Sequence, residues 1–186
     1  MATAPAVTVA VISDTHMPGR GRTLPEACLA RLRAADLIIH AGDWSDMGAV
    51  GLVRGIGPPV AGVHGNVEEP SVRAAMPATA EVDAGGIRIG IVHDAGPEPG
   101  RLERLRRRFP GCAGVVFGHS HIPLHEVAAD GFWILNPGSP TDRRRAPRHS
   151  MAEIIVSPAG AASVAFWAVD DPAGPLGAEL VRGSRH

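Results

Sequence analysis

Asp14-Thr-His16, Gly42-Asp43, Gly65-Asn66, His93 and Gly118-His119-Ser120-His121 are the segments of this chain equipped for chemistry. They supply two carboxylates, four imidazoles and one amide oxygen. That mixture suits divalent ions of borderline hardness: Mn²⁺, Zn²⁺, Fe²⁺, Co²⁺ or Ni²⁺. No thiolate joins it, which argues against a structural zinc site. Seven ligands exceed one tetrahedral centre and fit two ions that share a carboxylate. Glycines 42, 65 and 118 precede ligands and let the backbone turn tightly. Taken singly, Asp14 and Asp43 read as loop or capping residues, and each histidine as a surface or satisfied core group. Their value as a set depends on the elements that carry them.

Those elements are legible. Val7–Ile12 and Leu37–His40 are β-branched apolar runs that read as buried strands. Residues 59–63 make a third strand and 114–117 another. Between the first three, Pro25 opens a helix with Thr23 or Leu24 as its cap, and Ser45 caps a second that runs to Arg54. Residues 81–92 form a hairpin about Gly85-Gly86, residues 123–135 a hairpin about Asp130-Gly131, and residues 152–169 a hairpin about Pro158–Gly160. Residues 100–109 form a basic amphipathic helix stopped by Pro110. The expected picture is a parallel half followed by an antiparallel half, with helices outside. Each ligand segment directly follows a strand. In open α/β sheets, sites form at the carboxyl ends of strands. Five strand ends therefore deliver the whole set to one edge, which packing alone does not explain.

Composition narrows the partners. The chain has 186 residues, 45 % apolar and 20 % charged, with a formal net charge of −1. That is enough for one core and offers no bulk attraction to nucleic acid or an anionic membrane. All 18 basic residues are arginine. Cys28 and Cys112 form no paired motif, so a reducing cytoplasm is expected. No apolar run approaches the roughly 20 residues that span a bilayer. Residues 1–169 read as one domain and the Gly/Pro-rich residues 170–186 as a loose C-terminal tail.

As a set, Asp14-x-His16, Gly42-Asp43, Gly65-Asn66, His93 and Gly118-His119-x-His121 resemble the calcineurin-like metallophosphoesterase superfamily. The short length, the Gly-His-Ser-His form and Asn136-Pro137-Gly138-Ser139 are similar to its small bacterial and archaeal phosphodiesterase branch. The resemblance spans residues 7–139. It implies a four-layer α/β/β/α sandwich of two mixed sheets. It also implies two divalent ions, Mn²⁺ first. Asp14, His16 and His121 would hold one, Asn66, His93 and His119 the other, and Asp43 would bridge them. The implied reaction is hydrolysis of small phosphodiesters by a metal-bridging hydroxide attacking phosphorus in line, with Asn66, His93 and Asp94 beside the substrate.

Two positions depart from the pattern. Val67 stands where many relatives place a proton-donating His; His64, on the same loop, is the nearest substitute. Asp94 stands where relatives usually have Gly. Its carboxylate would repel a phosphate monoester dianion more than a diester, or it turns outward. Glu68 matches an acidic position, with an expected role in orienting a His. Arginines 143, 144, 145 and 148 reach toward substrate or lie on an exposed loop, and Trp44 stacks on an aryl group or packs in the core. The competing functions are a catalytically weak scaffold or binding module of the same fold, and a nuclease for short single strands. Homo-oligomers are left open.

Overall fold

The computed structural model describes residues 5–183. Eleven strands form two mixed sheets among these residues. In the first, β1 (Val7–Ile12), β2 (Leu37–His40) and β3 (Val60–Gly62) run parallel. On its other side β9 (Ser150–Val156), β10 (Ala162–Ala168) and β11 (Gly174–Pro175) are antiparallel, giving the order β11-β10-β9-β1-β2-β3. The second sheet contains β4 (Thr79–Ala84), β5 (Ile87–Val92), β6 (Gly114–Val116), β7 (Leu124–Val127) and β8 (Trp133–Asn136). Its order is β4-β5-β6-β8-β7, with β5, β6 and β8 parallel and both edges antiparallel. The expected division into parallel and antiparallel halves is therefore redrawn: each sheet is mixed.

Alternation along the strands sets the layers. Val9 and Val11 of β1 face the second sheet and pack with Ile89, Ile91, Val116 and Leu135. Ala10 and Ile12 face the other way, onto the helices α1 (Glu26–Ala34), α2 (Met47–Arg54) and α3 (Pro70–Ala75). Both faces of β1 are apolar because both are covered. The outer face of the second sheet, with Val115, Phe117 and Ile134, takes Leu105 and Phe109 from α4 (Arg101–Arg108) and the residue that follows it. The result is the α/β/β/α sandwich.

Three local expectations change. Pro25 itself occupies the cap position of α1 and no side chain caps that helix, so neither Thr23 nor Leu24 does. Asp46, not Ser45, caps α2 by accepting from the Ala49 N–H; Ser45 has φ 96° and gives its N–H elsewhere. The described part of the stretch expected to be loose is tethered. Gly174–Pro175 pairs with β10, Val181 enters the core between the sheets, and the Arg182 carbonyl accepts from the His125 N–H.

Candidate metal centre

All the ligand-type residues lie just beyond the carboxyl ends of β1, β2, β3, β5 and β6. Backbone bonds tie these loops to one another: Asp14 N–H donates to Gly42 O, His16 N–H to Asp43 O and Gly118 N–H to His93 O, each 2.9 Å. The loops are tightly coiled. Asp14, His16, Asp43, His119 and His121 all have φ between 46° and 69°, the left-handed region that residues with a Cβ rarely enter. Such conformations persist where surrounding structure dictates them, and they concentrate at functional sites. Two glycines make the crowding possible. A Cβ on Gly42 (φ 94°) would lie 2.7 Å from His93 Nδ1, and one on Gly65 would collide with Asp43 Oδ1.

The side chains form an unbroken series across the rim. Asp14 Oδ1 is 3.2 Å from His121 Nε2. His121 Nε2 is 3.3 Å from His16 Nε2, which is 3.6 Å from Asp43 Oδ2. Asp43 Oδ1 is 3.4 Å from His93 Nε2. Asn66 Oδ1 lies 3.0 Å from both His93 Nε2 and His119 Nδ1. The His119 N–H closes the series on the Asp14 carboxylate at 3.0 Å. Two groups within it could hold an ion: Asp14 with His16 and His121, and Asp14 with Asp43 and His93.

Hydrogen bonds behind the rings decide what the front presents. His93 Nδ1 lies 2.8 Å from Ala41 O, so Nδ1–H donates there and Nε2 is the ring atom turned into the cluster. The Asp142 carbonyl does the same for His121 Nδ1. Burial alone would raise the Asp43 carboxyl, but the His93 hydrogen bond and charge, the Val67 N–H and His16 outweigh it and hold the group well below the usual range. Burial tends to lower the His93 imidazole; the Asp43 bond and the two carboxylates reverse this and raise it. For His16 burial prevails over Asp43 and Asp14, and the ring is held below its ordinary value. Asp43 is therefore a firm anion at neutral pH.

The residues around this cluster sort by contact. Glu68 is buried, and among the described residues its carboxylate takes backbone N–H groups rather than a histidine. Its Oε1 accepts from Trp44 N–H (3.0 Å) and Gly65 N–H (2.8 Å), and its Oε2 from Ser45 N–H (2.9 Å), which pins the Asp43 loop to the Asn66 loop. His64 is half-buried, with Nδ1 3.0 Å from Gly65 O, and shares a cavity with Asn66 and His93. Asp94 is exposed at the mouth of the same cavity and accepts from the Gly96 N–H at 2.7 Å. His40, fully buried, takes the Gly42 N–H on Nδ1 and stacks on Trp44 at 3.5 Å.

The Asn136-Pro-Gly-Ser turn lies under the cluster. Asn136 Nδ2 donates to Gly118 O (2.7 Å), and Ser139 Oγ to Asp14 O (2.8 Å). Thr141, whose Oγ1 donates to Thr15 O at 2.6 Å, and Asp142 complete this support. Nothing in the sequence singled those two out except their position just after the turn. The residues behind the nuclease reading are placed unevenly, with Arg144 and Arg145 exposed. Trp44 is fully buried with its Nε1 on Val63 O, Arg143 bonds Ala146 O, and Arg148 is tied to Asp170.

A two-sheet α/β sandwich with carboxylate, imidazole and amide donors gathered on one rim is the layout of a metallohydrolase. The chain belongs to the calcineurin-like phosphoesterase superfamily, whose domain model matches residues 7–157. It is 33 % identical over 151 residues to a probable metallophosphoesterase of Methanocaldococcus jannaschii, covering 80 % of this chain and 75 % of that protein. Among solved structures it is similar to a Thermotoga maritima protein determined by NMR, with 30 % identity and a TM-score of 0.68, covering 87 % of this chain and 99 % of the other. Vacuolar protein sorting 29 of Cryptosporidium parvum shares the fold at 21 % identity and a TM-score of 0.79, over 93 % and 97 % of the two chains. Among the described residues no helix is long and apolar enough to cross a membrane.

Proposed function

We propose that the chain is a dinuclear-metal-dependent phosphodiesterase acting on small phosphodiesters. The unbroken series of seven donor side chains, with two Nε2 atoms turned inward by carbonyls, is the observation that carries this reading. The donor set fits divalent cations. Imidazole nitrogens 3.3 Å apart, beside two carboxylates, are donor atoms that a shared cation would satisfy. On this reading Asp14, His16 and His121 hold one ion, Asn66, His93 and His119 the other, and Asp43 serves both. Two Mn²⁺ ions there would neutralise charge on the phosphate oxygens and lower the pKa of water.

The chain's own residues add selectivity. Asp14 and Asp43 return only two of the four positive charges, so the rim attracts an anion. Asp94, exposed beside His93, would oppose a dianionic group at the metal ions more than a monoanion there, and so favours a diester at the reacting position. Val67 carries no proton. His64 donates its Nδ1–H to Gly65 O, so it would serve as the acid only as the imidazolium, with its second proton on Nε2 passed to the departing ester oxygen. A cytosolic setting belongs to the same proposal, since Cys28 and Cys112 are both free.

The test is hydrolysis of bis(p-nitrophenyl) phosphate with Mn²⁺, abolished by Asp43→Ala or His93→Ala. Replacing His64 by Gln should slow diesters with alkoxide leaving groups far more than p-nitrophenyl esters. Metal-replete protein inert toward a panel of diesters and monoesters would overturn the proposal.

A further inference from the structure

Beside the Asn66–His93 end of the cluster lies a cavity of about 360 Å³, whose lining includes His64, Asn66, His93 and Asp94 together with Arg73 and Arg108. The two arginines come from separate elements, α3 and the last position of α4. Neither has a carboxylate partner among the described residues, whereas Arg106 on the same helix is tied to Asp130 at 2.7 Å. Arg73 is fixed by one bond, from Nη2 to the Asn66 carbonyl at 2.7 Å, which leaves most of its donors free. Arg108 lies 5.8 Å from the Phe109 ring centre, and its side chain makes no hydrogen bond or ion pair among the described residues. Asp94 is the single carboxylate of the lining, and its Oδ1 is engaged by Gly96. Two guanidinium groups against one carboxylate leave the cavity net positive.

We propose that this cavity is a second phosphate subsite, so that the preferred substrates are phosphodiesters carrying a further phosphate on the ester group that enters it. This rests on the phosphoesterase reading above. Asn66 joins the two places: its Oδ1 lies in the donor series and its carbonyl anchors Arg73. A phosphate monoester offers three acceptor oxygens, which two guanidinium forks meet better than a lone carboxylate would. The volume of the cavity suits a nucleoside-sized ester group.

The test compares binding of thymidine 3′,5′-bisphosphate with thymidine 5′-monophosphate to the Mn²⁺-loaded protein by calorimetry. The bisphosphate should bind about tenfold tighter, in keeping with two partly exposed charge contacts. Arg108→Gln, which breaks no hydrogen bond of the free protein, should reduce that ratio about threefold, and Arg73→Gln with Arg108→Gln should bring it near one. Arg107→Gln removes the same charge one residue away, outside the lining, and should leave the ratio within about twofold. Equal affinities in the unaltered protein, a ratio that survives the double replacement, or an equal loss with Arg107→Gln would overturn the subsite. A tenfold preference in protein that hydrolyses no diester sustains the subsite and sinks the catalytic reading instead. Hydrolysis without preference does the reverse.

Discussion

Glu68 offers the sharpest test of how this rim is built. Its carboxylate accepts three backbone N–H groups, from Trp44, Gly65 and Ser45, at 2.8–3.0 Å. Glu68→Gln keeps the shape but exchanges one acceptor oxygen for a donor. If the amide oxygen retains Trp44 and Gly65, the NH₂ faces the Ser45 N–H, and one charge-assisted bond becomes a donor–donor contact. The loss is about 2–3 kcal/mol, or roughly 4–12 °C in Tm for a chain of this size. Because the bonds join the Asp43 loop to the Asn66 loop, Mn²⁺ affinity should fall about tenfold or more. With Mn²⁺ saturating, kcat should stay within about threefold, since a buried acceptor of backbone bonds touches no reacting atom. Thermal denaturation with and without Mn²⁺, calorimetric titration of the metal and turnover of bis(p-nitrophenyl) phosphate together decide the matter. Native Tm and Mn²⁺ affinity combined with a hundredfold drop in kcat would refute the bracing role and place the carboxylate in proton transfer.

Gly65→Ala should abolish Mn²⁺ binding in protein that still folds, because the new Cβ enters the position of Asp43 Oδ1; calorimetric titration that finds native affinity would refute the close approach. Saturating Mn²⁺ at about 100 times its Kd should stabilise the protein by about 2.7 kcal/mol, and chelation should remove that gain. Asp43→Asn should lose most of it, and a metal-induced rise in Tm that survives this change would assign the ions elsewhere. Burial pushes the Cys28 thiol up to about 12, so at pH 8 only about one molecule in 10⁴ carries the thiolate. The Cys112 thiol is raised as well, again by burial first. A disulfide reagent at pH 8 should therefore titrate Cys28 only after unfolding, and prompt native labelling of that residue would contradict the packing under α1.

Much of this was legible because strands and ligands obey different rules. Leu37–Ile39 and residues 114–117 are apolar runs with a glycine a few residues on, at 42 and 118, and nothing about a core calls for Asp or His directly after those glycines. Their common destination followed from the parallel order of the first three strands. The ladder between β1 and β9 was not legible. It joins Val9 to Ile154, and hydrophobic alternation fixes which face of each strand is buried but not which strands pair. Helix α3 was missed because six residues with only Val72 buried show no helical period. Ser45 reads as the cap where Asp46 serves, since both side chains can accept a bond and local sequence does not separate them. The choice is settled by Glu68, which takes the Ser45 N–H from 23 residues away. Thr141 and Asp142 act through a hydroxyl and a main-chain carbonyl, and a carbonyl carries no sequence signature at all.

These hidden contacts are what give the visible ones their geometry. Five ligand-type residues in left-handed conformations each cost about 1–2 kcal/mol relative to an ordinary backbone. That sum is comparable with the whole stability of a typical domain, so loops of this shape require compensation from elsewhere. Two of the three braces are strands or turns remote in sequence: Ser139 on the Asp14 carbonyl and Asn136 on the Gly118 carbonyl. The third is Glu68 beneath the Asp43 loop. All three grip backbone rather than ligand side chains, so these braces occupy no imidazole nitrogen and no carboxylate oxygen of the ligand set. Braces on the backbone restrict the loops themselves, so a cation bound there would have less loop ordering to offset. Replacing a brace should then weaken metal binding through the free protein, by populating loops that have relaxed out of the left-handed region, while the ligands themselves remain chemically intact.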